Sequence, residues 1–76
     1  MQLSGHSLIN VDPEICGGRP VVSGTRVRVS DVLEMLAGGA SEAEVIADYP
    51  YITRDAVRAC LAYAAGVADH PIVLAA

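Results

Sequence analysis

Two helix starts separated by one break, all within residues 41–65, constrain this chain more than any other feature. The stretch reads SEAEVIADYPYITRDAVRACLAYAA. Ser41 followed three residues later by Glu44 forms a capping box, in which each side chain reaches the other residue's backbone N–H, so a helix begins at Ser41. Pro50 ends it at about residue 49, because its ring disfavours helical dihedrals at Tyr49 and it has no N–H to donate. Thr53 then supplies a second N-cap, with Asp55 in the following turn where the helix dipole favours a carboxylate. A helix is predicted over 54–65. Val57, Cys60, Leu61 and Ala64 fall on its inward stripe, and Arg54, Asp55, Arg58 and Ala62 fall outside. A short helix, a tight turn and a longer helix bearing outward arginines in its first turns is the outline of a helix-turn-helix. Helical hairpins also occur in domains that never touch nucleic acid, so the pattern alone leaves both classes open.

The rest of the chain surrounds this unit. Leu8, Ile9, Asn10 and Val11 form an apolar run closed by Asp12 and Pro13, which reads as a brief strand or extended arm. Gly17 and Gly18 mark a tight bend, without the spacing of a phosphate-binding loop. Residues 19–29, RPVVSGTRVRV, are β-rich around Ser23 and Gly24 and predict a hairpin. With an even-length loop, alternation puts Arg19, Val21, Arg26 and Arg28 on one face and Pro20, Val22, Val27 and Val29 on the other. Ser30 is the expected cap of another helix, over 31–37, with Val32, Leu33, Leu36 and Ala37 inward, Met35 at the margin, and Gly38 and Gly39 as its left-handed stop. Gly66 is expected to break the last helix. The predicted fold is therefore mainly α, a trihelical helix-turn-helix unit over 30–65 behind a small N-terminal β arm and hairpin over 8–29, with a tail over 66–76. All of it forms one domain.

A chain of 76 residues buries only about 60% of its unfolded surface, so self-association as a homodimer or higher oligomer is the expected source of extra stability. Cys16, Cys60, His6 and His70 match no zinc or redox spacing, and neither metal nor cofactor is expected. No signal peptide or membrane-length apolar run is present, which predicts a cytoplasmic protein with no membrane contact. The net charge of −4 argues against a general-purpose nucleic-acid binder, because phosphate neutralisation needs concentrated positive charge. Any DNA contact must come from a local patch. All five cations are arginines, the side chain suited to bidentate phosphate or guanine contacts. No nucleophile, base and orienting group occur in a recognisable catalytic pattern, so no enzymatic activity is expected.

The segments DPEICGGRP at 12–20, GTRV at 24–27, GAS at 39–41, the Tyr49 and Pro50 break and LAYAA at 61–65 together closely resemble the small prokaryotic domain-of-unknown-function family 433. The resemblance spans about residues 8–65. It implies a homeodomain-like trihelical helix-turn-helix with a β arm, and a role similar to VapB-type antitoxins, which bind their own operator DNA and neutralise a PIN-like ribonuclease toxin.

Three groups of residues are the candidate sites. Thr53, Arg54 and Arg58 would contact DNA, the arginines one turn apart and Thr53 placing its hydroxyl or the helix N-terminus near a phosphate. Arg19, Arg26 and Arg28 would form a second positive patch, serving nucleic acid or, as resemblance to other antitoxin pairs implies, entering the carboxylate cluster of the nuclease. Ile72, Val73 and Leu74 form an apolar segment suited to docking a partner. The rival reading is a protein-binding or homo-oligomerisation module that makes no DNA contact.

Overall fold

The computed structural model describes residues 2–3 and 6–69, with side chains from Leu8 onward. Strand β1 (Gln2–Leu3) and strand β2 (His6–Asn10) pair antiparallel, and β2 pairs antiparallel with β3 (Val21–Val22) through Ile9 with Val22 and Asn10 with Val21. The sheet order is β1-β2-β3. Helices α1 (Val29–Ala37), α2 (Glu42–Asp48) and α3 (Arg54–Ala68) follow. Helix α3 packs against β2, α1 and α2 at once and so forms the centre of the molecule.

Between β2 and β3 the chain makes one 3-10 turn over Cys16–Gly18. Cys16 itself has φ +51°, a left-handed conformation that non-glycine residues rarely adopt. The predicted hairpin is present as a four-residue turn. Val22 N–H donates to the Val27 carbonyl at 2.9 Å, Val21 bridges Arg28, and Thr25 Oγ1 donates to the Val22 carbonyl and accepts from Val27 N–H. Val22, Val27 and Val29 enter the core together, as alternation requires. Val21 on the opposite face is fully buried too, so that face is not a solvent face, and Arg26 lies in the turn rather than on a strand.

Helix α1 begins earlier than Ser30. Val29 is buried and already helical, so the N-cap position falls on Arg28 and Ser30 sits exposed inside the first turn. Asp31 replaces the expected serine cap: its carboxylate accepts from Arg28 N–H at 3.4 Å. Gly39, at φ +101°, makes the left-handed stop, and Ala40 N–H closes back on the Met35 carbonyl at 3.0 Å. Ala37, expected inward, is exposed.

Helix α2 starts as its capping box dictates, with Ser41 N–H to Glu44 Oε1 at 3.0 Å and Glu44 N–H to Ser41 Oγ at 3.2 Å. Tyr49 leaves helical geometry just before Pro50. Ile52, 2% exposed, plugs the turn between α2 and α3 into the core. In α3 the inward residues are Ala56, Val57 and Cys60, with Ala59 and Tyr63 packed beside them. Leu61 is 44% exposed, which corrects the expected stripe by rotating it away from that residue. Gly66 does not end the helix, which runs on to Ala68. A glycine costs a helix only about 1 kcal/mol relative to alanine, and its neighbours Ala64, Ala65 and Ala68 are among the residues best suited to helix.

Candidate nucleic-acid interface

Local capping places the first candidate group. Thr53 Oγ1 accepts from Ala56 N–H at 3.1 Å, which fixes where α3 starts and spends the hydroxyl oxygen on the helix. One residue later Arg54 emerges, and Arg58 follows after one turn. Their side chains are 60% and 66% exposed. Both are held by a single carboxylate from α2: Glu42 Oε2 lies 3.4 Å from Arg54 Nε, and Glu42 Oε1 lies 3.7 Å from Arg58 Nε. Sequence reasoning missed Glu42 because the pairing crosses between helices; its place as the first residue of α2 gave no hint that it would face α3.

The charge layout of these helices is informative. A helix macrodipole favours cations near the C-terminus and opposes them near the N-terminus, each by roughly 0.3–1 kcal/mol. None of the three helices has a basic residue in its last turn, while α3 carries Arg54 and Arg58 in its first two turns. The arginines are not where they would best stabilise helices. Continuing outward along α3, Leu61 follows Arg58 by three residues, so the exposed face reads cationic and then apolar. Tyr51, 65% exposed in the turn just before α3, is a further aromatic at this end that the sequence pattern does not single out. A one-residue feature in a turn has no periodicity to reveal it.

The second group is drawn together around Cys16. The Arg19 guanidinium donates to the Cys16 carbonyl at 3.4 Å, and the Cys16 thiol donates to the Arg26 carbonyl at 3.5 Å. Arg28 is engaged by Asp31, with Nη2 to Oδ1 at 2.9 Å and Nε to Oδ2 at 3.2 Å. Through that hydrogen bond first and its charge second, Asp31 raises the Arg28 guanidinium above its ordinary range, while Arg28 lowers the Asp31 carboxyl. One of the three arginines is thus neutralised in place. Among the described residues the Arg26 side chain forms no hydrogen bond or ion pair. Ile72, Val73 and Leu74 lie outside the described residues.

Cys60 is fully buried, and burial pushes its thiol up to about 11. Among the described residues no three His, Cys, Asp or Glu side chains gather closely enough to hold a metal ion, and no helix is long and apolar enough to cross a membrane.

The sequence pattern of the family described as a protein of unknown function (DUF433) matches residues 9–64. This chain belongs to DUF433. The match runs from β2 through the α2 and α3 unit, so it takes in both arginine groups. An uncharacterized protein y4eO of Sinorhizobium fredii is 34% identical over 61 residues, covering 80% of this chain and 28% of its own length. The crystal structure of a DUF433 member from Anabaena variabilis superposes with a TM-score of 0.74 at 29% identity, over 78% of this chain and 58% of that one. Rv2018 from Mycobacterium tuberculosis superposes with a TM-score of 0.62 at 42% identity, over 70% of this chain and 24% of that one. The chain therefore spans less than two thirds of each of these relatives. The DUF433 fold is mainly helical here, three helices behind a small N-terminal β unit.

Proposed function

We propose that this DUF433 chain is a non-enzymatic, DNA-binding antitoxin, which binds its own operator through α3 and neutralises a PIN-like ribonuclease. The observation that carries the reading is the placement of Arg54 and Arg58, exposed, one turn apart, at the helix end where the dipole opposes cations. A polyanion reverses that cost, because phosphate is attracted by the arginines and by the helix N-terminus alike. Glu42 holds the pair at the surface until phosphate replaces it. Two copies would set two α3 helices in successive major grooves, and β1, at the edge of the sheet, offers a strand edge for pairing. Arg19 and Arg26 are the residues of the second patch available to a nuclease's acidic site.

A second reading has its own observation. Glu42 between the two arginines and Leu61 exposed beside Arg58 make a face of mixed charge with an apolar position, which suits a protein partner of mixed charge better than a nucleic acid. One experiment separates the two: the full chain is mixed with the DNA fragment preceding its own reading frame, and with the product of the adjacent reading frame. Retardation of the fragment, lost in Arg58→Ala, supports the antitoxin reading. Tight binding of the neighbouring protein through α3 with no retardation at low salt would establish the protein-binding module instead.

A further inference from the structure

The outward stripe of α3 changes character partway along. Arg54, Arg58 and Leu61 stand at i, i+4 and i+7, within about 60° of one another around the helix axis at roughly 100° per residue. All three are exposed, Leu61 at 44%. From Ala59 to Ala68 the helix carries no charged residue, so attraction for phosphate along this face ends with Arg58. Ala62 and Ala65, also exposed, are too short to reach past Leu61. Leu61 is therefore the long side chain that the face presents next. Single exposed leucines are ordinary on a surface; this one continues the line of the two arginines that carry the reading proposed above.

The duplex sets what such a side chain can recognise. The seven residues from Arg54 to Leu61 span about 10 Å of helix axis, and the major groove, about 12 Å wide, admits an α-helix. A helix whose N-terminal arginines meet phosphate at one wall carries Leu61 across to the base edges. Those edges are read mostly through hydrogen-bond donors and acceptors, and leucine has neither to offer. The apolar exception is the C5-methyl of thymine, which a leucine methyl can shield from water.

We propose that Leu61 is the specificity residue of α3, contacting the C5-methyl of a thymine in the major groove of the operator. The inference rests on the DNA-binding reading and names the base that this face selects. The fragment preceding the chain's own reading frame tests it, prepared once with thymine and once with uracil, which lacks only that methyl. The unaltered chain should bind the uracil fragment about fourfold more weakly for each half-site, roughly fifteenfold for a dimer on two. This comparison needs no variant. Leu61→Ala, at an exposed position, should keep the fold, lose a similar factor on thymine DNA and bind the two fragments alike. Its salt slope should match that of the unaltered chain, because an apolar contact releases no counterions, whereas Arg58→Ala should lower the slope. Equal binding of the two fragments by the unaltered chain would overturn the assignment, as would a uracil penalty that persists in Leu61→Ala. So would a Leu61→Ala chain that binds DNA normally but no longer binds the product of the adjacent reading frame, which would give Leu61 to a protein partner. Failure of the unaltered chain to bind either fragment at low salt would remove the DNA-binding reading itself, and this inference with it.

Discussion

Ile52 and Leu61 allow a test in which the same atoms are removed from two environments. Isoleucine and leucine are isomers, and truncation of either to alanine deletes three carbon groups; the difference lies in burial, since Ile52 is 2% exposed and Leu61 44%. For Ile52→Ala the lost transfer free energy is about 2.4 kcal/mol at roughly 0.8 kcal/mol per group, and the cavity left behind raises the cost to about 3–4 kcal/mol. A chain of this size is stable by roughly 4–11 kcal/mol in all, so the loss is a large fraction of the whole. With a urea slope of about 1 kcal/mol per molar, the midpoint should fall by about 3 M. If the variant is already unfolded in water, added sulfate restores a measurable transition and the comparison is made there. Leu61→Ala should shift the midpoint by under about 1 M, because the site stays solvated and no cavity is sealed. Equal shifts, or a larger one at Leu61, would refute the packing of the turn and the rotation assigned to α3.

Further outcomes follow from the charges and caps. Asp31 is held below its ordinary range by the Arg28 hydrogen bond, and Glu44 is held down by the Ser41 backbone N–H and then its hydroxyl. Both carboxyls therefore contribute stability that is present above their unfolded-state values and lost as pH falls through the folded ones. Acid titration of the urea midpoint should decline into and below the ordinary carboxylate range, and the Asp31→Asn, Glu44→Gln double variant should start lower and flatten there. Cys60, with its thiol pushed up to about 11 by burial, stays protonated in neutral buffer and should label only at the rate of global opening, whereas half-buried Cys16 labels first; equal rates by mass spectrometry would contradict this. Glu42→Gln removes the carboxylate that pairs both α3 arginines. It should tighten promoter binding about three- to tenfold, since exposed ion pairs are worth at most about 1 kcal/mol each, and weakened binding in an anisotropy titration would count against the displacement of Glu42 by phosphate.

Features written locally were readable from the sequence. The Ser41 and Glu44 box, the Pro50 stop, the Thr53 cap and the Gly39 stop each involve groups within a few residues, and each appears as expected. The inward phase of α3 was less legible. Leu61 outranks Ala56 as a hydrophobe, yet α3, which packs against β2, α1 and α2, buries Ala56, Val57 and Cys60 and leaves Leu61 exposed; that phase is set by the neighbouring elements and not by the hydrophobicity of the helix's own residues. The start of α1 was hidden for a related reason: Val29 is pulled into the core, and the helix begins with it, ahead of the serine that looks like the better cap. At the candidate interface the exposure of Arg54 and Arg58 was readable from helical period, and Glu42 between them was not, since it depends on how α2 crosses α3. The same holds for Cys16, whose links to Arg19 and Arg26 come from a bend that alternation does not describe.

The DNA-contacting role of Arg54 and Arg58 is tested most directly by the salt dependence of promoter binding, measured for the full chain and for the Arg54→Ala, Arg58→Ala double variant. Each phosphate contact contributes about 0.9 to the slope of log affinity against log salt, so a dimer that loses four arginine contacts should lose about 3.6 from its slope along with most of its affinity. An unchanged slope and affinity in a variant that remains folded would remove α3 from DNA binding.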